Sequence, residues 1–152
     1  MAVCGAGTCD TNLAAMAYRV GYRIADVGAL LVCGGLGGVM EAACHGATDA
    51  GGMTLGLLPG PDSTSANPFV HIAVPTGLGH ARNVLIVQTA QVVIAIGGAY
   101  GTLSEIALAR KCNRRVIGLH TWDIGHDEQG RPHVIAADQP EEAVRLAQQH
   151  IT

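Results

Sequence analysis

Two stretches decide the fold: Ala29-Leu30-Leu31-Val32-Cys33-Gly34-Gly35-Leu36-Gly37-Gly38 and Val92-Val93-Ile94-Ala95-Ile96-Gly97-Gly98-Ala99-Tyr100-Gly101-Thr102. Each begins as an apolar run, turns on glycines and continues into a segment with helical spacing. Strand, glycine turn and helix in that order point bare backbone N–H groups, and the positive end of a helix dipole, at an anion. A single turn of this kind is a weak signal, because glycine also makes ordinary tight turns. Two on one small sheet point to a ligand that carries a phosphate.

Outward from these stretches, strand and helix patterns alternate. Residues 1–4 predict a first strand, Gly5-Ala6-Gly7 its turn, and Asp10 or Thr11 a helix cap. Leu13, Met16, Ala17, Val20, Ile24 and Val27 recur at three and four residues, one apolar face of a helix that Gly21 weakens without ending. Residues 29–33 predict the second strand and residues 38–50 the second helix, stopped by Gly51-Gly52. Strands three to six are predicted at residues 53–58, 69–74, 92–96 and 115–119. Helices follow at 80–89, 102–110 and 139–150, the last with Pro140 near its start. Residues 127–132 predict a turn between His120 and Val134. The strands are continuous apolar runs, as in sheets covered on both faces. The predicted class is α/β: a doubly wound, mostly parallel, Rossmann-like sheet in a single three-layer domain over residues 1–152.

Composition bounds the function. Apolar residues are 49% of the 152 and charged residues 14%, which excludes a disordered chain. Lys and Arg total 9 against 12 Asp and Glu, a net charge of −3, and aromatics are one Phe, one Trp and three Tyr. No basic stripe appears, and so few aromatics argue against base-stacking platforms, so nucleic acid is not an expected partner. Arg110, Lys111, Arg114 and Arg115 cluster at a predicted helix end, where cations offset exposed carbonyls. No apolar stretch approaches a membrane span. Five cysteines without a C-x-x-C pair, and no secretory leader, predict reduced thiols in the cytoplasm.

Right-handed crossovers bring every strand-to-helix turn to the carboxyl edge of such a sheet, where ligands sit. The turns at 5–8, 34–38, 76–82 and 97–105 meet there. They offer Gly5, Gly7, Gly34, Gly35, Gly37, Gly38, His80, Gly97, Gly98, Ala99, Tyr100, Gly101 and Thr102 as ligand contacts. Arg82 and Glu105 place a cation and a carboxylate at two helix starts on that edge. Each residue also has a plainer reading. Thr102-Leu103-Ser104-Glu105 matches a capping box, and Arg82 suits a surface ion pair. The glycines of 34–38 relieve a tight turn, Tyr100 packs as well as lids, and His80 is a solvated loop histidine. His120, His126 and His133 lack ligand spacing, so no metal site is predicted.

The order of these motifs resembles the LOG family, once labelled "lysine decarboxylase". The resemblance is carried by Gly34-Gly35-Leu36-Gly37-Gly38-Val39-Met40, Gly51-Gly52-Met53-Thr54-Leu55-Gly56-Leu57-Leu58-Pro59, Arg82 and Gly101-Thr102-Leu103-Ser104-Glu105. It implies a Rossmann-like fold, a homodimer or homotetramer, and phosphoribohydrolase activity on the N-glycosidic bond of a nucleoside 5′-monophosphate. Glu105 would then stabilise an oxocarbenium-like state or activate water, with Arg82 on the phosphate or leaving-group side. The chain departs from the family signature Pro-Gly-Gly-x-Gly-Thr-x-x-Glu: Gly97 replaces the proline, Ala99 the second glycine, and Asn83 the lysine usual beside Arg82. With Leu58-Pro59-Gly60-Pro61-Asp62 and the 76–82 stretch, these departures look more like the small bacterial branch that includes molybdenum cofactor carrier proteins. That branch implies a second function: Arg82 and glycine amides holding a phosphorylated pterin or oxometalate, with Glu105 mainly a cap. Neither implication requires a cofactor for catalysis; the ligand is a nucleoside monophosphate or a molybdopterin-type molecule. A distant likeness to a DNA-processing Rossmann domain carries no DNA binding, given the acidic balance. The apolar run at 84–87 exceeds one buried helix face, which agrees with self-association.

Overall fold

The structure is a computed structural model that describes residues 1–151; Thr152, the last residue of the expected 1–152 domain, lies outside the described residues. Strands β1 (Ala2–Gly5), β2 (Leu31–Cys33), β3 (Thr54–Leu58), β4 (Ile72–Pro75), β5 (Val92–Ile96), β6 (Arg115–Leu119) and β7 (Ile135–Ala136) form one sheet in the order β4-β3-β2-β1-β5-β6-β7. All the pairings are parallel. The helices are α1 (Thr11–Asp26), α2 (Val39–Asp49), α3 (Asn83–Thr89), α4 (Tyr100–Lys111) and α5 (Pro140–Gln148). This is the doubly wound Rossmann-like α/β fold that the sequence predicts.

Alternation along the strands builds two cores. Val3, Leu31, Cys33, Ile94, Ile96 and Ile117 point to the α1, α2 and α5 layer, where they meet Val20, Ile24, Ala43, Ala47 and Val144. Ala2, Cys4, Val32, Val93, Ala95 and Val116 point to the α3 and α4 layer, against Ile86, Val87, Ile106 and Ala109. The chain winds outward through β1 to β4 and then returns to place β5 beside β1. The order of strands therefore reverses between β1 and β5, the position at which open parallel sheets leave a crevice.

Several expected boundaries move for identifiable reasons. The fourth strand starts at Ile72 rather than at residue 69, because Thr54 Oγ1 donates to the Phe69 carbonyl at 2.6 Å and accepts the His71 N–H at 2.9 Å. Those are groups a ladder would use. β4 is also not covered on both faces: it is the sheet edge, with Ile72 and Val74 exposed. The third helix opens as a 3-10 turn at Gly79–Arg82 before α3 begins. α4 starts at Tyr100, two residues before the expected start. The 127–132 turn is present, its Gly130 N–H donating to the Asp127 carbonyl at 2.9 Å. It lies within a connection that adds the short strand β7, which residue patterns did not reveal. Asp10 caps α1 as expected, accepting the Leu13 N–H at 2.8 Å.

Candidate functional site

Four turns converge at the carboxyl edge around the β1–β5 crevice, but they are not equivalent. The turn after β2 is packed from its neighbour's side. The Val39 N–H, at the start of α2, donates to the Ala6 carbonyl at 3.0 Å, and the Gly35 N–H points at the Cys33 sulfur at 3.3 Å. Gly38 adopts φ 62° with its Cα against the Ala6–Gly7 backbone, so the 34–38 and 5–7 turns brace each other. The tight-turn reading describes Gly38, and two of the donors around this turn are already engaged.

The turn after β5 is open. Ala99 occupies the N-cap of α4 with no side-chain cap, and the first backbone bond of the helix is Leu103 N–H to the Ala99 carbonyl at 3.1 Å. The amides ahead of it, at Tyr100, Gly101 and Thr102, sit where a helix start leaves N–H groups for an anion. Gly98, Ala99, Tyr100 and Gly101 are all exposed. The expected capping box does not form. Thr102 is 2% exposed, and its Oγ1 has no partner among the described residues. Ser104 Oγ instead donates to the Gly101 carbonyl at 2.7 Å. Glu105 turns inward: α4 is capped at Ala99, three residues before the Thr102 that the box requires, so Glu105 falls inside the helix and is buried.

Arg82 is not a surface residue either. It is 7% exposed, on the 3-10 turn before α3. A Cβ added to Gly34 would stand 2.6 Å from its Nη1 and 2.7 Å from its Nη2, so only glycine at the end of β2 lets the guanidinium pass. Nη1 donates to Asn83 Oδ1 at 2.9 Å, while Nε is buried without a partner among the described residues. Asn83 Nδ2 reaches Ser104 Oγ at 3.4 Å and so ties the Arg82 turn to α4. Glu105, also 7% exposed, lies in the same field as Arg82 and beside the buried Cys4 thiol at the end of β1. Burial raises its carboxyl to about 7, against the opposing pull of Arg82 and Cys4. Burial likewise lowers the Arg82 guanidinium and pushes the Cys4 thiol well up. His80 stays exposed on the same 3-10 turn, its ring without a partner among the described residues.

Sequence reading missed one side of this edge, the loop after β6. Trp122 Nε1 donates to the Ala99 carbonyl at 3.3 Å, and its ring stacks on Tyr100 with centroids 5.9 Å apart. Asn83 and Cys4 were also passed over as ligand-edge residues. The carboxyl-edge rule applied to residues 115–119 would have found the loop, since its turn must lie beside that of β5. A cavity of about 520 Å³ at the opposite edge, between Met1, Leu30, Thr89 and Gln148, has no ionisable side chain in its lining.

Known proteins fit this geometry. A protein of Archaeoglobus fulgidus is 49% identical over 117 residues, 77% of each chain. The molybdenum cofactor binding protein of the phototrophic bacterium Rippkaea orientalis superposes with a TM-score of 0.86 at 38% identity, over 99% of this chain and 94% of that one. The molybdenum cofactor carrier protein of Chlamydomonas reinhardtii gives 0.85 at 33% identity, over 97% and 95%. The sequence pattern of the SLOG cluster4 family matches residues 1–144, and with that match over nearly the whole chain the protein belongs to the SLOG cluster4 family.

Proposed function

We propose that this protein is a carrier that holds a phosphorylated, molybdopterin-type ligand at the carboxyl edge of the sheet without breaking a bond in it. The observation that carries the reading is its likeness, at 33–38% identity over nearly full length, to two proteins described as binding or carrying molybdenum cofactor. The site's chemistry supports it. The uncapped start of α4, the orphaned Thr102 hydroxyl and the buried Arg82 Nε are donors that a phosphate would satisfy. Burying such groups without a partner costs about 1–3 kcal/mol each, which bound anion recovers. Gly97 to Thr102 contact the phosphate in this reading, and Gly34 clears the path of Arg82. Gly5, Gly7, Gly35, Gly37 and Gly38 shape the floor, and His80 stands at the rim. The five cysteines are free thiols, as suits a protein working in the cytoplasm.

One observation favours the hydrolytic reading: a carboxyl held near neutrality beside a buried guanidinium is poised for acid–base work. The two readings separate in one experiment. The purified protein and its Glu105→Gln variant are incubated with AMP and N6-isopentenyl-AMP, and free base is followed by chromatography. In parallel the protein is loaded with molybdopterin and gel-filtered. Retained pterin with no free base from either protein is the expected result, and Arg82→Ala should lose the pterin. Base released by the parent protein and lost in Glu105→Gln would overturn the carrier reading in favour of a phosphoribohydrolase.

A further inference from the structure

We infer that the loop after β6 is a ring-binding subsite for a 2-amino-4-oxopyrimidine edge, the edge that pterins and guanine share. The inference rests on the proposed anion site and adds to it the residues that would recognise what is attached to the phosphate. A cleft of about 380 Å³ is lined by Gly97, Gly98, His120, Thr121, Trp122 and Asp123, within the usual size range of small-molecule sites. Two of these residues, Gly97 and Gly98, also begin the open turn before α4. A ligand with its phosphate on that turn therefore reaches the cleft directly.

Three features shape the cleft for a flat heterocycle. Tyr100 is 81% exposed, yet its ring is held at 29° to that of Trp122, which itself hydrogen-bonds the Ala99 carbonyl. No packing need explains a tyrosine so exposed; an aromatic face left beside an anion site offers stacking to a ring. Gly98 has φ 155°, and a Cβ there would stand 2.9 Å from Trp122 Nε1. The indole therefore lies directly over the loop only because that residue is glycine. His120, at φ 49°, turns the chain sharply after β6 and carries the loop back over β5.

Asp123 supplies the specificity. Its Oδ1 accepts the Gly125 N–H at 2.9 Å, which fixes the carboxylate, while Oδ2 has no partner among the described residues. A carboxylate accepts from adjacent N–H groups, and the ring N–H and exocyclic amine of pterin or guanine present two side by side. Adenine presents an acceptor beside its amine and meets the same carboxylate with repulsion.

Calorimetric titration of the intact protein with GMP, AMP, neopterin monophosphate and inorganic phosphate tests this. Trp122 is the one tryptophan of the chain, so GMP should also change its fluorescence. GMP and neopterin monophosphate are expected to bind at least about tenfold more tightly than AMP, the weight of one charge-assisted hydrogen bond. Asp123→Asn should erase that preference and leave phosphate affinity unchanged. Trp122→Phe should keep ring binding, whereas Trp122→Ala should weaken every ring-bearing ligand about tenfold and inorganic phosphate far less. The order of GMP and neopterin monophosphate then tells which source of the shared edge the cleft prefers. GMP and AMP binding alike while phosphate still binds would overturn the subsite and leave the anion site standing. Failure of inorganic phosphate and of all three ring ligands to bind would overturn both.

Discussion

Ionising Glu105 costs the folded protein free energy, because the residue is 7% exposed and its carboxyl is buried beside Cys4 and Arg82. Its folded value of about 7 stands above its ordinary 4.5, so between those values the folded state holds a proton that the unfolded chain has lost. Stability must therefore fall as pH rises through that window, and above about 7 the accumulated cost is about 3 kcal/mol. Glu105→Gln removes the titration and keeps the shape. The variant is expected to match the parent below the window and to exceed it by up to about 3 kcal/mol above it, read by urea unfolding at both ends. A variant no more stable at alkaline pH would show that Arg82 holds the ionised form. Arg82 and Glu105 were legible in sequence because charge is scarce here and both fall at helix starts. Their burial was not: a capping box and a surface arginine have the same letters, and only the start of α4 and the glycine at position 34 distinguish the cases.

Helices α1 and α2 meet at backbone contact, and two glycines make that possible. A Cβ on Gly21 would overlap the Ala43 carbonyl, and one on Gly46 would overlap the Tyr18 carbonyl, each helix supplying the gap for the other. The sequence showed Gly21 only as a weak point in a helical pattern; Gly46, on the next helix, carried no local signal because packing partners are not written in periodicity. Alanine normally favours a helix by about 1 kcal/mol over glycine. At these two positions overpacking against backbone, which cannot yield as a side chain can, should reverse the sign and destabilise by about 1–3 kcal/mol or more. Gly101→Ala on α4, with open space around its Cβ, is the control and should be neutral or stabilising. Thermal unfolding of Gly21→Ala, Gly46→Ala and Gly101→Ala checks the contrast; equal behaviour of all three would mean that the helices separate freely. Most other elements were legible from apolar period and glycine punctuation. β4 was misplaced because a single threonine hydroxyl, Thr54, takes the backbone groups that the apolar run at 69–71 would have paired.

At the scale of the molecule, the parallel sheet and its ligand edge followed from alternation and crossover handedness, while one exposed face follows only from the strand order. α3 lies over β1 and β2 and α4 over β1, β5 and β6, while β3 meets the short 3-10 turn Gly79–Arg82 and β4 forms the sheet edge. Leu55 pairs with Ile72 and Leu57 with Val74 in register, which sets four apolar side chains on that one face. Ile72 is 47% exposed, Val74 38%, and Leu78 beyond the strand 50%. Such an apolar surface on an edge strand is an association site or an aggregation hazard. We propose that a second copy covers it, which agrees with the half-buried Val84 and Leu85 on neighbouring α3. The protein is then expected to elute as a homodimer or larger assembly in size-exclusion chromatography with light scattering. Ile72→Lys combined with Val74→Lys should give a folded monomer, because two buried charges facing their copies cost more than the apolar area of one edge returns. The carboxyl-edge ligand site lies at the ends of the strands rather than on this face, so phosphate affinity should survive in the monomer. A monomeric parent protein, or an assembly indifferent to both lysines, would place the interface elsewhere or remove it.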